Sequence, residues 1–189
     1  MQSIQSLPVL ALAAALALPV CGQDHAPQGP TPRHAKLAQQ VGTWTAQLEY
    51  QGMDGKPTKS SGTSVRKQPL GGFWLIDNFE ANLMGQKFRG QGTTGYDPIK
   101  KKYVGTWIDS MSPSLMVIEG NYDKAGKVLT MEGMGVDPLG QPSKARLVTT
   151  IKDQNTHVFE MFSQGPDGKF AKTMTITYQR RVRKMDRVR

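Results

Sequence analysis

The pattern of hydrophobic and polar residues predicts β-strands along most of the chain after Trp44, and the first of them alternates with a period of two. The segment WTAQLEY shows this alternation, and KKYVGTWIDS, SLMVIEGNYD and SKARLVTTIKD are further predicted strands between turns. Successive side chains of a strand point to opposite faces of a sheet, so this period predicts half-buried β-strands. Segments rich in Gly, Asp and Pro, such as GMDGKP, DKAG and GPDG, separate the strands and predict turns. We count about ten strands of roughly 7 to 12 residues each.

Glycine interrupts the pattern in one predicted strand, QKFRGQGTTGYD. A glycine inside a strand removes a side chain that would otherwise pack, and it often marks a bulge or a tight bend. We therefore expect this strand to be bulged or sharply bent.

A short helix is predicted just before the first strand, in PRHAKLAQQV. Ala35, Leu37, Ala38 and Val41 fall near one face at helical spacing, and Gly42 follows as the glycine that commonly ends a helix. One helix followed by consecutive strands with tight turns predicts sequential antiparallel pairing. The pattern allows two arrangements of such strands, a sandwich and an up-and-down barrel. It indicates a single domain.

The first residues have a different composition. Leu7 to Val20 form an uncharged apolar segment that is short for a transmembrane helix and has the length of a signal-peptide core. The preceding MQSIQS lacks the usual Lys or Arg. Cleavage after Gly22 would release a chain that begins at Gln23. Lipidation of Cys21 is the alternative, although Val20 is larger than the residue that usually precedes a lipidated cysteine. We expect export to the periplasm or the cell exterior, with a membrane anchor if Cys21 is lipidated.

Basic charge is concentrated at the C-terminus. The formal net charge is +9 at pH 7, and the segment QRRVRKMDRVR holds six basic residues against one acidic residue. We divide the chain into a signal peptide at 1–22, a disordered lead-in at 23–33, a folded domain at 34–182 and a basic tail at 183–189. Such a tail is solvated or associates with acidic lipid or polymer of the cell envelope. It contains no aromatic residue on which a base could stack, so specific nucleic-acid binding is not expected.

The residues after the helix carry a resemblance to known proteins. Gly42 and Trp44 on the first strand, behind a short N-terminal helix, are similar to the calycin pattern of lipocalins, fatty-acid-binding proteins and nitrobindin-like proteins. In calycins the tryptophan closes one barrel end, and a basic residue of the last strand packs over its indole. The resemblance implies these structural roles for Gly42, Trp44 and Arg180, or for Arg181 in place of Arg180.

The similarity to one family is longer. The segments HAKLAQQVGTW, LGGFWLIDNFEANLMGQKFRGQGTTGYDPIKKKYVGTWIDSMS and KTMTITYQR resemble a bacterial family known as domain of unknown function 1579, from about Arg33 to Arg181. The resemblance implies an all-β fold, namely a calycin-like, up-and-down antiparallel β-barrel of about ten strands with a short N-terminal helix. It implies no established activity.

Candidate ligand-contacting residues follow from barrel geometry, in which alternate residues of each strand face the interior. We place Trp107 and Asp109 inside, because an aromatic side chain with a polar partner suits a ligand cavity. The alternative is that Trp107 fills the core and Asp109 caps the turn after its strand. The candidates for lining the cavity are Trp107, Asp109, Met116, Glu119, Met131 and Tyr178.

Two glutamates are candidates for chemistry. If DKAG forms a tight turn that pairs Tyr122 with Lys127, Glu119 and Glu132 become diagonal neighbours on one face, about 7 to 8 Å apart. That separation suits general acid–base catalysis or a metal ion. The alternative is a solvent-facing pair balanced by nearby lysines.

The histidines do not indicate a cofactor. Haem-binding nitrobindin-like barrels use a histidine as the axial ligand, and His157 is the only histidine in the β region. Because it lies beside the turn DQNT, we expect a surface histidine and no haem. His25 and His34 flank the Pro-rich lead-in, where we expect solvated side chains. With no second His or Cys in the folded part, we expect no structural zinc.

These observations lead to one main hypothesis and two alternatives. The main hypothesis is an exported barrel that binds a small apolar or amphipathic molecule, or a lipid, in its interior. The first alternative is an enzyme of hydrolase or isomerase type that uses Asp109, Glu119 or Glu132. The second is a non-catalytic envelope module that binds through its basic tail.

Overall fold

The computed structural model describes residues 29–52, 55–136 and 141–181. Within this part of the chain there are one α-helix, one 3-10 turn at Leu70–Gly72 and ten β-strands. The helix is α1 (Pro32–Ala38), and the strands are β1 (Gly42–Gln51), β2 (Pro57–Lys67), β3 (Trp74–Leu83), β4 (Gln86–Asp97), β5 (Lys102–Asp109), β6 (Met116–Tyr122), β7 (Val128–Val136), β8 (Pro142–Ile151), β9 (Thr156–Gln164) and β10 (Phe170–Arg180). Residues 32 and 33 thus belong to the helix.

The strands close into a barrel. Each strand pairs antiparallel with its neighbours in sequence, and β1 also pairs with β10, from Trp44 opposite Arg180 to Tyr50 opposite Met174. Closure pairs every strand on both sides and leaves no unpaired sheet edge. Of the two arrangements that the strand pattern allowed, the up-and-down antiparallel barrel is confirmed.

The alternation in the sequence becomes the inner and outer faces of this barrel. On β1 the buried residues are Trp44, Ala46, Leu48 and Tyr50, with more exposed residues between them. Fully burying a large apolar side chain contributes about 1.5 to 3 kcal/mol, so the inward residues of ten strands provide the main driving force for closure.

Helix α1 covers one end of the barrel, and we call this the helix end. Leu37 is fully buried in an apolar cluster with Tyr103 and Leu129. The Tyr103 hydroxyl donates to the carbonyl of Arg33 (2.9 Å), and the Lys36 amine donates to the carbonyl of Gly126 (3.2 Å). These contacts tie the helix to β5 and to the β6–β7 turn.

His34 takes part in this attachment, which corrects the expectation of a solvated side chain. It is 4% exposed, and its Nδ1 accepts the backbone N–H of Thr31 (3.0 Å) while its Nε2 lies 3.2 Å from the carbonyl oxygen of Tyr96. The lead-in prediction failed here because α1 begins at Pro32 and turns His34 toward the barrel.

The β6–β7 hairpin differs from its predicted register. Tyr122 pairs with Leu129, not with Lys127. Asp123 explains the change, because its N–H donates to the carbonyl of Val128 (2.8 Å) and its carboxylate accepts the N–H groups of Lys127 (2.8 Å) and Val128 (3.1 Å). These bonds keep Asp123 within the strand pairing, so the turn lies one residue later than predicted.

Several predictions concern residues outside the described part of the chain. They include the signal peptide, the lipidation of Cys21, the environment of His25 and the basic tail at 183–189. Among the described residues, no helix is long and apolar enough to cross a membrane.

Candidate functional site

The barrel interior contains a cavity of about 340 Å³. It runs from Gln40 and Arg66 near the helix end to Ser112 and Ser114 in the β5–β6 connection at the other end. Between these polar ends its wall is mostly apolar and includes Leu48, Phe79, Phe88, Leu147, Met161 and Ile176. The volume lies at the lower end of the range of pockets that bind small molecules.

Trp107 forms one wall of the cavity. Its indole stacks on Phe88 at 6.4 Å between ring centres and lies 6.5 Å from Phe79. It also lies across the backbone of β4, where a Cβ on Gly90 would approach the ring within 2.2 Å and a Cβ on Gly92 within 3.1 Å. The two inward glycines therefore make room for the indole.

Asp109 lines the same cavity at the end of β5. Its carboxylate accepts the Trp107 Nε1–H (3.0 Å) and the backbone N–H groups of Met111 (2.8 Å) and Ser112 (2.9 Å). Asp109 thus faces the cavity, as the first interpretation expected, and also caps the following turn, as the alternative expected. With both oxygens occupied, it holds the indole in place and is poorly suited to act as a general base.

Of the other predicted lining residues, Met116, Met131 and Tyr178 border the cavity, and Glu119 does not. Glu119 lies on the outer face and accepts hydrogen bonds from Lys102 (2.6 Å) and Lys100 (3.0 Å), which lower the pKa of its carboxyl group. Its placement inside was wrong because Ile118 and Gly120, on either side of it, face inward on β6.

The predicted pair of glutamates is present, but in a different arrangement. Glu119 and Glu132 are directly opposite each other on the outer face. Glu132 binds Lys144 (2.6 Å) and Arg146 (2.7 Å), and these hydrogen bonds lower the pKa of its carboxyl group. Of the three carboxylates Asp109, Glu119 and Glu132, only Asp109 lines the cavity, so no two of them converge there.

Arg66 is the functional candidate that sequence reasoning missed. It is 5% exposed and lines the cavity at the helix end. Its Nε donates to Ser64 (3.0 Å) and to Asp77 (3.0 Å), and its Nη1 donates to the side chain of Gln40 (3.3 Å). The guanidinium lies over the ring of Tyr178 at 4.3 Å. A buried arginine with a paired carboxylate thus forms the polar floor of an apolar cavity.

A signal for this floor does exist in the sequence. Leu75, Asp77 and Phe79 alternate on the buried face of β3, so a carboxylate falls between two apolar inward residues. A buried carboxylate requires a buried cation or several donors. That requirement indicates an inward basic residue on a neighbouring strand, which β2 supplies opposite Asp77 as Arg66.

The closure residues meet below this floor. Trp44 is fully buried, its Nε1 donates to the carbonyl of Gln40 (2.9 Å), and the Arg180 guanidinium lies 4.1 Å from its ring centre. Arg180 also donates to the carbonyls of Val41 and Gln39. Gly42 has φ of +143°, and a Cβ there would approach Arg180 within 2.4 Å, so the close contact needs glycine.

His157 packs against the same tryptophan, which corrects the expectation of a surface histidine. It is fully buried, its ring centre lies 4.4 Å from that of Trp44, and neither ring nitrogen has a hydrogen-bond partner among the described residues. As the first inward residue of β9, it is covered by the Trp44–Arg180 contact although it lies next to a turn. Burial, and then the charges of Arg66 and Arg180, lower its pKa to about 4.

The described residues contain no group of three or more His, Cys, Asp or Glu side chains arranged to hold a metal ion. His157 is not among the residues that line the cavity.

Comparisons with known proteins agree with this architecture. Residues 29–180 match the family described as protein of unknown function (DUF1579). The structure is similar to Rv2717c from M. tuberculosis, with a TM-score of 0.57 and 12% identity over 80% of this chain and 99% of that chain. It is also similar to the S-type phycobiliprotein lyase CPES from Guillardia theta, with a TM-score of 0.54 and 12% identity over 82% of this chain and 100% of that chain. No curated protein matches significantly. At these identities the similarities establish a shared barrel fold.

Proposed function

This chain belongs to the family of proteins of unknown function DUF1579, and from that premise we propose that its barrel binds one small, largely apolar molecule inside. The observation that carries this proposal is the cavity of about 340 Å³ between Trp107 and the Arg66 floor. Protein interiors are normally packed as densely as organic crystals, with few voids larger than a water molecule. A mostly apolar cavity of this volume favours binding of an apolar ligand, because transfer of apolar surface from water into the cavity is favourable.

Access to the cavity is from the end opposite α1. The helix end is covered by Leu37 and by the Trp44–Arg180 contact, whereas the cavity extends to Ser112 and Ser114 at the other end. A ligand that enters there passes Asp109 and Trp107 before it reaches Arg66. Because Asp109 holds the indole, Trp107 forms a fixed wall and can stack on a flat apolar ligand.

Two neighbouring residues on β8 provide a direct test. Leu147 lines the cavity, and Val148 pairs with Glu160 on the opposite face of the sheet. We expect the full chain to bind an apolar fluorophore with one site per molecule in a fluorescence titration. Leu147→Trp should fill part of the cavity and weaken binding at least tenfold, whereas Val148→Trp should leave the affinity within about twofold, since its side chain points outward.

The proposal fails if the wild-type chain binds no apolar probe. It also fails if Leu147→Trp and Val148→Trp weaken binding equally, because the bound probe would then lie outside the barrel.

We further propose that residues 1–22 direct export of the chain. The support is the apolar segment Leu7 to Val20 and the small residues after it. Intact mass measured on the exported protein should show a chain that begins at Gln23, or one that begins at a lipidated Cys21. A mature protein that retains Met1 and stays in the cytoplasm would contradict export.

A further inference from the structure

We propose that Arg66 binds the carboxylate of an amphipathic acid, whose hydrocarbon part fills the apolar cavity above it. This inference rests on the proposed function and specifies the chemical class of the ligand. It also assigns the orientation of the ligand, with its charged group toward the helix end and its apolar part toward Trp107.

The first argument is the set of donors that Arg66 leaves unused. A guanidinium has five N–H donors. Arg66 donates its Nε–H to Ser64 and Asp77 and one Nη1–H to Gln40, and its guanidinium also hydrogen-bonds the Tyr178 hydroxyl. At most two of the five N–H groups therefore remain on a side chain that is 6% exposed. Because Arg66 borders the cavity, a ligand or water inside the cavity can supply acceptors for these donors.

The second argument is geometry. The remaining N–H groups belong to Nη1 and Nη2, which together form the end-on fork of the guanidinium. This fork matches the two oxygens of a carboxylate in a bidentate, charge-assisted arrangement. The Tyr178 ring below the guanidinium and the Asp77 carboxylate at Nε hold the fork in a fixed orientation. Arg66 therefore needs little reorganisation to bind an anion.

The third argument is the distribution of charge around the floor. The Asp77 carboxylate is itself held by the Ser64 hydroxyl (2.6 Å) and by Arg66 Nε, on the side of the guanidinium away from the end-on fork. A second cation, Arg180, lies 4.1 Å from the Trp44 ring, and the Arg66 guanidinium lies 5.6 Å from the same ring. Among the described residues that line the cavity, Arg66 is the only cation, so an anion inside the cavity would meet its guanidinium.

The fourth argument is the composition of the rest of the wall. Beyond the floor, the wall is mostly apolar and includes Leu48, Phe79, Met131 and Ile176. A small polar anion would leave this surface uncovered, and a hydrocarbon without a head group would leave the Arg66 donors unpaired. An amphipathic acid satisfies both parts of the cavity.

The test compares decanoic acid with its methyl ester, which has the same chain but no charge. With the full chain at neutral pH, we expect the acid to bind at least tenfold more tightly than the ester, measured by titration calorimetry. This comparison uses the wild-type protein and does not depend on how any variant folds. Equal affinities would overturn the carboxylate assignment while leaving an apolar-ligand barrel intact.

A double variant tests whether Arg66 is the group responsible. Arg66→Met combined with Asp77→Asn removes both charges together, so no unpaired buried charge remains. We expect the preference for the acid to fall to within twofold while ester binding stays within threefold of wild type. The matched control is Arg89→Met with Glu80→Gln, which removes a 3.2 Å ion pair on the outer face. The control should keep the full preference for the acid.

Each result leads to a distinct conclusion. A tenfold preference that persists in the Arg66 and Asp77 double variant would overturn the assignment to Arg66. Failure of both the acid and the ester to bind the wild-type chain would overturn the proposed function and this inference together.

Discussion

At the scale of single residues, the helix end of the barrel places a histidine where a further positive charge is unfavourable. His157 is fully buried against Trp44, and the guanidinium groups of Arg66 and Arg180 also lie over the Trp44 ring. Burial disfavours the protonated imidazole, and the two guanidinium groups add repulsion. The histidine is therefore neutral in the folded protein at neutral pH, with a pKa near 4.

This depressed pKa predicts a loss of stability in acid. An unfolded histidine has a pKa of about 6.5, so between pH 6.5 and 4 the unfolded state binds the proton and the folded state does not. The contribution of His157 is complete above about pH 6.5 and is lost as the pH falls to about 4, by roughly 3 kcal/mol in total. Urea unfolding of wild type and His157→Phe across this range should show the difference.

The comparison with His157→Phe separates this effect from the acid sensitivity of carboxylates. Phenylalanine retains a ring against Trp44 but has no proton to bind. If wild type and His157→Phe lose stability in parallel between pH 6.5 and 4, His157 is not the group responsible.

Single residues also show which parts of the site can be inferred from sequence. The positions of Trp44 and Arg180 follow from a short resemblance that spans both ends of the chain. Arg66 was missed and His157 was wrongly placed at the surface, because their neighbours on β2 and β9 are polar or of mixed character and alternation alone does not identify the inner face. In both cases burial depends on a partner from a distant strand, Asp77 for Arg66 and Trp44 for His157.

At the scale of elements, β4 shows how a glycine-rich strand can remain regular. Bulges were expected from QKFRGQGTTGYD, yet β4 pairs without a register shift with both β3 and β5. Its glycines lie under aromatic rings, with Gly90 and Gly92 beneath Trp107 and Gly95 beneath Trp74. Of the two expectations, a bulge or a sharp bend, the bulge was wrong, because the missing side chains are replaced by indoles from neighbouring strands.

This packing predicts the effect of a methyl group on β4. In Gly90→Ala the new Cβ would lie 2.2 Å from the Trp107 ring, so the indole must move away from Phe88 and Asp109. Forcing extra atoms into a packed site typically costs about 1 to 3 kcal/mol. We expect a loss of this size in urea unfolding, together with a changed tryptophan emission spectrum.

The neighbouring outward residue provides the control. Gln91→Ala removes an exposed side chain from the same strand and should change stability by less than about 0.5 kcal/mol. Equal stability and identical emission for Gly90→Ala and wild type would show that Trp107 does not lie on this part of β4.

The β6–β7 hairpin shows that a sequence can predict two strands without predicting their register. Both strands were predicted, but their register was not, because it depends on where the turn begins. Asp123 holds Val128 through two hydrogen bonds and shifts the turn by one residue. That local side-chain bonding also places Glu119 directly opposite Glu132 instead of diagonal to it.

At the scale of the whole molecule, the order of strands was predictable and the interior was not. Alternation and turn signals indicate ten sequential strands after one helix, and the family resemblance indicates closure. The space inside depends on how residues from all ten strands fit together around Trp107 and Arg66. No single segment contains that information, so the cavity and its polar floor required the assembled barrel.

The barrel also separates its charges by face. Glu119 and Glu132 bind lysine and arginine on the outside, while Arg66 and Asp77 form a paired floor inside. Exposed ion pairs contribute little to stability, commonly 0 to about 1 kcal/mol, whereas a buried pair strongly constrains what can lie next to it. The whole molecule is therefore organised around its interior, where a ligand would bind.

Native mass spectrometry of the full chain, purified without detergent or added ligand, tests the central claim most directly. We predict a second peak whose added mass corresponds to one small organic molecule per chain, absent from Leu147→Trp and retained in Val148→Trp. Extraction of that peak should yield an amphipathic acid. Spectra that show only the bare chain, both as purified and after incubation with decanoic acid and an apolar fluorophore, would contradict the account.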